Sequence, residues 1–279
     1  THTPYIVPKN YKGNFTPSKC DNRRLAEILK EIKNQKRRED LINWFGKEAT
    51  LDEILAKYEN SINFVDAQIG RLMNALDELG LKDQTLVILT SDHGESLTEH
   101  GIYYEHHGLY DVCIKVPLIF MGPGFPKRRR VKGFVQHFDL VPTILDLLGY
   151  SASDIDFDGK SILPLVRGEV PELHSEVYAE ESHAQRKSAV RTKTYKYIFA
   201  SDKKKLICNV CGVVHGAPEE LYNLKKDPEE TKNIIKENPR KAQELRKKYE
   251  NWQMSLKRKE TEKRKIREIT RRLKKIGKI

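Results

Sequence analysis

Apolar residues recur in steps of three and four up to Gly80, gather into unbroken runs between 86 and 121, and alternate in part after Gly149. Leu25, Ile28, Leu29 and Ile32 predict a short amphipathic helix within 18–33, and Lys33 to Arg38 reads as a charged link with a solvated face. The clearest helix runs from Thr50 to Gly80, where Leu51, Ile54, Leu55, Tyr58, Ile62, Val65, Ile69, Leu72, Met73, Leu76 and Leu79 form one continuous stripe. Thr50 is suited to its N-cap, Asp52 and Glu53 to the positive end of its dipole, and Gly80 to its stop. Leu86-Val87-Ile88-Leu89 and the run Lys115 to Met121 read as strands buried on both faces, as in a parallel sheet. Leu140 to Leu148 is a helix with Pro142 in its first turn, where a missing N–H costs nothing. The order strand, helix, strand, helix predicts an α/β core over 1–150.

The pattern then shortens. Runs at Glu176–Ala179, Ser188–Arg191, Tyr195–Ile198 and Glu220–Leu224 are spaced like antiparallel strands and predict a small antiparallel α+β subdomain over 151–238. A last helix begins near Pro239 with Leu245, Tyr249, Trp252 and Leu256 on one face. Ile266, Ile269, Leu273 and Ile276 carry a narrower stripe through 239–279.

Charge sharpens the reading of that tail. Residues 253–279 hold twelve Lys/Arg against three Asp/Glu, so nine of the eleven excess positive charges fall there and the rest of the chain is nearly neutral. Nucleic acid, an acidic membrane surface or an acidic partner would each answer such a tail. It lacks the interleaved aromatics of a single-strand binder, so nucleic-acid binding is disfavoured against a solvated helix that docks by its stripe, with an oligomer as one outcome. No apolar run approaches the ~20 residues of a membrane-spanning helix. The chain opens on Thr1 rather than Met, so the lack of a visible leader says little, and a cytoplasmic setting is only slightly favoured.

Candidate chemistry gathers behind the first strand. The run breaks at Ser91-Asp92-His93-Gly94, and His93, His100, His106 and His107 follow within fifteen positions. In open α/β sheets ligands bind beyond the carboxyl ends of strands, so Asp92 and His93 stand where a metal or an anion would be held. Separately, Cys208-x-x-Cys211-Gly with His215 has half the spacing of a zinc knuckle. His174 or His183 would complete it if the fold brings one near; otherwise the pair reads as reduced thiols or a local disulfide.

Several segments together resemble one family. They are His2-Thr-Pro-Tyr5, Tyr58-Glu-Asn-Ser-Ile62 with Val65-Asp66, Gln68-Ile-Gly-Arg-Leu72, Thr90-Ser-Asp-His-Gly-Glu95, Glu99-His-Gly101 and Val116-Pro-Leu-Ile119. Further along come Asp139-Leu-Val-Pro-Thr-Ile144, Asp158-Gly-Lys-Ser161, Val190-Arg191 with Tyr195-Lys-Tyr197, and Glu220-Leu-Tyr-Asn-Leu224 with Asp227-Pro228. In this order the chain resembles the sulfatases of the alkaline phosphatase superfamily over nearly its whole length. The resemblance implies an alkaline-phosphatase-like, mainly parallel sheet with flanking helices, and hydrolysis of the sulfate ester of a small molecule or glycan. It implies a divalent metal, calcium foremost, with Asp92 and His93 as ligands; an imidazole ligand leaves room for manganese or zinc. His2 matches the family histidine that contacts the sulfuryl group or the leaving oxygen.

Two departures shape the expectation. The nucleophile motif, Cys or Ser followed by x-Pro-x-Arg, is absent from the 279 residues, as are the family's upstream paired aspartates. The chain therefore reads as the C-terminal portion of such an enzyme, inactive without the nucleophile-bearing part. The family's lysine after the metal pair falls at Glu105 or His106 here, and a protonated His106 or His107 could supply its charge. Hydrolysis of phosphodiesters or phosphonate monoesters, within the same superfamily, is the nearest alternative; a non-catalytic binding module working through the basic tail is the other.

Overall fold

The structure is a computed structural model that describes residues 1–18, 21–150, 157–202 and 205–275. Cys20, Ile276 and the side chains of Ile266, Ile269 and Leu273 lie outside the described residues. The first half contains α1 (Leu25–Ile28), α2 (Gln35–Phe45), α3 (Leu51–Glu78), β1 (Val87–Thr90), α4 (Asp111–Ile114), β2 (Leu118–Met121) and α5 (Leu140–Leu147). The second contains α6 (Leu163–Arg167), β3 (Glu176–Glu181), β4 (Lys187–Thr192), β5 (Tyr195–Ala200), β6 (Glu219–Asn223) and α7 (Pro239–Lys275).

The expected helix within 18–33 shrinks to α1 and a 3-10 turn at Leu29–Glu31. Its backbone is claimed elsewhere: Leu25 N–H donates to the Ala49 carbonyl and Leu51 N–H to that of Arg23, which holds the entering chain extended. Leu25, Ile28, Leu29 and Ile32 are nonetheless all buried, as their spacing requires. The charged link expected at Lys33 to Arg38 is instead the start of α2. Asn34 caps it by accepting from Arg37 N–H, and Arg37, Leu41 and Phe45 line its buried face. An arginine occupies the first inward position, so the helical period was hidden.

Thr50 and Glu53 form a reciprocal capping box at the start of α3, as the sequence predicts. Leu51, Ile54, Ala56 and Ser61 are buried, but the stripe beyond is uncovered: Ile62, Val65, Leu72 and Leu79 are exposed, Leu79 at 70%.

The parallel sheet expected from the two apolar runs is not formed among the described residues. β1 and β2 pair antiparallel, with Val87 opposite Met121 and Thr90 opposite Leu118. The connection explains this. A parallel pair needs a crossover that carries the chain back to its starting end. Residues 91–117 instead make a compact loop with the four-residue α4, and β2 sets off from where β1 stopped. Neither strand is buried on both faces; both are half-covered, and Ile119 is exposed.

The later runs do pair as antiparallel strands, in the order β3-β4-β5-β6. Alternation assigns Val190, Tyr197 and Leu221 to one face, where Ala242, Leu245 and Tyr249 of α7 cover them. Trp252 lies parallel to Tyr178 at 4.7 Å. The other face, with Ala189, Ile198 and Tyr222, packs on Ile102, Leu109 and Tyr110. The histidine-bearing loop is thus laid across a rigid sheet.

Candidate functional site

Gly94 sets the geometry behind β1. Its N–H donates to the Cys113 carbonyl at 2.7 Å and Glu95 N–H to that of Val112 at 3.1 Å, so this turn lies directly on α4. A Cβ at position 94 would stand 1.9 Å from the Val112 oxygen, which leaves room for glycine alone. Ser96 and Glu105 exchange backbone hydrogen bonds at 2.8 and 3.1 Å, closing the intervening residues into a hairpin-like loop that returns His106 to His93.

Three of the expected residues converge. The His93 and His106 rings stack at 4.1 Å, and His2 lies 6.0 Å from the first and 5.2 Å from the second, centroid to centroid. One nitrogen from each lies within 4.8 Å of the others. His2 arrives because Tyr5 is anchored in the core. The Tyr5 ring packs against Phe45 and Tyr58, and its hydroxyl donates to Glu95 Oε1 at 2.5 Å. His2 Nδ1 donates to the Thr3 carbonyl and His93 Nδ1 to that of Gly94, both at 2.8 Å. Each ring therefore keeps its Nε2 lone pair for a ligand.

Asp92 stands at the rim with its side chain 85% exposed, one carboxylate oxygen 3.6 Å from His93 Nε2. The backbone N–H of His93, 3.0 Å from Oδ1, and then the His93 imidazole hold its carboxyl below the ordinary value. Burial and then the neighbouring His93 push His106 down, so His106 is neutral at neutral pH and supplies no standing positive charge in place of lysine. Burial raises Glu95 despite the hydrogen bond from Tyr5.

His107 does not join this cluster. It is buried with Cys208, Cys211 and His215, all four ligand atoms lying within 4.8 Å of one another. The two histidines considered as completing the Cys208–Cys211 set go elsewhere: His174 Nε2 donates to Asp139 at 2.9 Å, and His183 offers its carbonyl to Asn209 Nδ2. Glu105 lies between the two clusters, paired with the buried Arg37 at 3.0 Å. His100 stacks on Tyr110 at 3.5 Å.

Sequence reasoning gave no role to three residues that hold the site. Arg37 donates to the Tyr103 and Tyr104 carbonyls at 3.0 and 2.8 Å, fixing the loop just before Glu105. His137 Nε2 donates to the Ser91 carbonyl at 2.8 Å, bracing the turn that carries Asp92. Asp139 is fully buried and accepts from Gln136 and Lys160 N–H and from His174. Asp139 and Lys160 sit in two of the segments quoted above, and that co-occurrence was the available signal. Beside Thr90 and His137 a cavity of about 640 Å³ opens, lined by Ile119, Phe120, Phe125 and Arg191 among others.

The family model described as Sulfatase matches residues 1–150, and one described as N-sulphoglucosamine sulphohydrolase, C-terminal, matches residues 98–260. The chain is 32% identical to Arylsulfatase K of Bos taurus over 209 residues, covering 71% of this chain and 36% of that protein. It is 29% identical to the Delta 4,5-hexuronate-2-O-sulfatase of Bacteroides thetaiotaomicron over 195 residues, covering 66% and 37%. Among solved structures, the phosphonate monoester hydrolase of Agrobacterium radiobacter is similar with a TM-score of 0.68 and 26% identity, covering 91% of this chain and 55% of that one. The chain thus spans about a third of the length of the curated relatives it matches.

Proposed function

Because this chain belongs to the sulfatase family of the alkaline phosphatase superfamily, and has an α/β fold, we propose that it forms the metal- and sulfuryl-binding half of a sulfate-ester hydrolase. The convergence of His2, His93 and His106 behind β1, with Asp92 at their rim, carries this reading.

Its substrate would be the sulfate ester of a glycan or small molecule, in keeping with the hexuronate-2-O-sulfatase and Arylsulfatase K among its relatives. His2 and His106 present imidazoles to the sulfuryl oxygens or the leaving oxygen. His107, turned into its own buried cluster, takes no part.

Family membership implies a divalent metal, and the residues present fit half of its site. Asp92 offers an exposed anionic oxygen suited to calcium, and His93 Nε2 is an open nitrogen 3.6 Å from it that would equally suit manganese or zinc. When bound, such an ion would neutralise sulfuryl oxygens. The remaining carboxylates, and the nucleophile, would come from residues outside these 279, since none of them forms the Cys/Ser-x-Pro-x-Arg motif.

The uncovered faces support the same division. Exposed Ile62, Val65 and Leu72 on α3, and Ile119 on β2, form apolar surface that a nucleophile-bearing segment would bury. Strands from that segment would supply the parallel part of the sheet. Within this chain 1–150 would be the core, 151–238 the antiparallel subdomain and 239–279 the basic helix, through which an oligomer would form.

The test compares this chain alone with a protein that also carries the nucleophile segment, each assayed on 4-nitrophenyl sulfate. Turnover should need both parts and vanish with Asp92→Ala. Full activity of the isolated chain would overturn the division of labour. The similarity to a phosphonate monoester hydrolase favours one second reading, and a phenylphosphonate monoester run in parallel decides it by relative kcat/KM.

A further inference from the structure

The buried cluster of His107, Cys208, Cys211 and His215 is not used by the proposed hydrolysis. We propose that these four side chains form a closed, four-coordinate structural zinc site that clips the loop bearing His106 to the connection between β5 and β6.

The donor set is the first argument. Two thiols and two imidazoles match the soft and borderline donors of tetrahedral zinc, and four protein ligands leave no open position for catalysis. All four residues are buried: Cys208 and Cys211 are fully inaccessible, His215 is 3% exposed and His107 5% exposed. Such a group of polar atoms should be satisfied by partners. His215 Nε2 is buried with no hydrogen-bond partner, and His107 Nε2 has only the Cys208 sulfur, at 3.5 Å. An ion would satisfy both.

The backbone at the cysteines is the second argument. Cys211 N–H points at Cys208 Sγ, 3.3 Å away, an arrangement that stabilises a thiolate. Cys208 N–H donates to the Val213 carbonyl at 2.7 Å and Gly212 N–H to that of Cys208 at 2.8 Å. This tight turn needs Gly212 at φ +75°, where a side chain would also press on Asn34. Lys33 and Asn34 N–H both donate to the Cys211 carbonyl, so the knuckle is seated on the start of α2.

Metal-bound histidines commonly turn their second nitrogen to a carboxylate. A Glu105 oxygen stands near His107 Nδ1 but at 3.9 Å, short of a hydrogen bond, and Glu105 is itself fixed by Arg37. A reversible Cys208–Cys211 redox pair would ask for a partly exposed thiol. Neither sulfur is accessible here.

The test needs no substrate. The 279-residue chain, purified under reducing conditions without a histidine tag, is analysed for zinc and then exchanged with cobalt(II). About one equivalent of zinc should be retained. The cobalt form should show thiolate-to-cobalt charge transfer with the strong visible bands of tetrahedral cobalt. Cys208→Ser and Cys211→Ser should each weaken the charge-transfer band, while Asp92→Ala leaves it unchanged, because the histidine cluster behind β1 contains no sulfur. If either cysteine variant fails to fold, the unaltered chain decides alone. A folded chain whose cobalt spectrum lacks the thiolate band, or in which mass spectrometry finds Cys208 and Cys211 joined as a disulfide, overturns the site.

Discussion

His106 and His107 are consecutive in sequence yet belong to different clusters. His106 stacks on His93 at 4.1 Å, whereas His107 Nε2 faces Cys208 Sγ at 3.5 Å. Glu105 stands beneath both, 3.6 Å from one Nδ1 and 3.9 Å from the other. Extended backbone sends successive side chains to opposite sides. One short segment therefore presents a half-exposed ring to the candidate site and a buried ring to the cysteines.

That separation predicts opposite phenotypes. In a protein carrying the nucleophile segment, His106→Ala should lower kcat by roughly 10²–10⁴-fold, the range for a positioned acid–base group. Its melting temperature should stay within ~2 °C. His107→Ala should lower the melting temperature by roughly 5–10 °C, equivalent to ~2–3 kcal/mol for a chain of this size. Paired thermal melts and steady-state kinetics check both, and an exchange of the two outcomes would sink the assignment.

Gly94→Ala tests the close approach behind β1. The new methyl would meet the Val112 carbonyl at 1.9 Å, a backbone atom that cannot rotate away. Relief requires α4 to move off the turn, at a cost of ~1–3 kcal/mol by comparison with overpacked interiors. Urea unfolding reads the loss directly. A variant as stable as the parent would show that the turn is looser than its hydrogen bonds imply.

Asp92→Ala should behave differently, because its side chain is exposed and carries no packing. Stability should change by no more than ~0.5 kcal/mol. Calcium binding, followed calorimetrically on the protein with its nucleophile segment, should be lost, and activity should fall at least ~10²-fold. Chelation of the unaltered protein should reproduce that loss, and added metal should reverse it. Retained calcium affinity in the variant would remove Asp92 from the metal site.

What was legible in the sequence follows from how locally each feature is determined. The capping box of α3, the four strands of 176–223 and the start of α7 depend on residues a few positions apart. α2 was hidden because Arg37 faces inward and is neutralised by Glu105, a partner that no helical period reveals. The direction of β2 depends on the path of residues 91–117, and their composition does not state it. The pairing of His107 with Cys208, 101 positions away, was likewise invisible: Cys208 was noticed as a candidate zinc ligand, but His107 only as a candidate for the sulfuryl group. The convergence of His2 and His106 on His93 was foreshadowed only by resemblance.

Lys196 provides the last prediction. Its side chain is fully buried, with Nζ 2.5 Å from Asp111 and 2.7 Å from Glu230, and it donates to the Leu109 carbonyl at 3.1 Å. Arg191 completes the group with a bidentate contact to Asp111 at 2.9 and 2.8 Å. The network ties the end of the histidine loop to β4 and β5. Lys196→Met leaves Glu230 without its cation and should destabilise the chain by ~3–5 kcal/mol. The same network fixes an acid response. Burial alone would raise Asp111, but Arg191 and Lys196 outweigh it and hold its pKa at about 2. A carboxyl depressed in the folded state stabilises above its unfolded pKa of ~3.9 and loses that contribution as pH falls through its folded value. About 2 kcal/mol should therefore disappear between roughly pH 4 and pH 2. Glu230, raised by burial, has the opposite sign, but its contribution changes at higher pH, above the ordinary carboxyl value, and leaves this window to Asp111. Asp111→Asn should flatten the fall, as measured by urea unfolding across that range. An unchanged slope in the variant would place the acid sensitivity elsewhere in the protein.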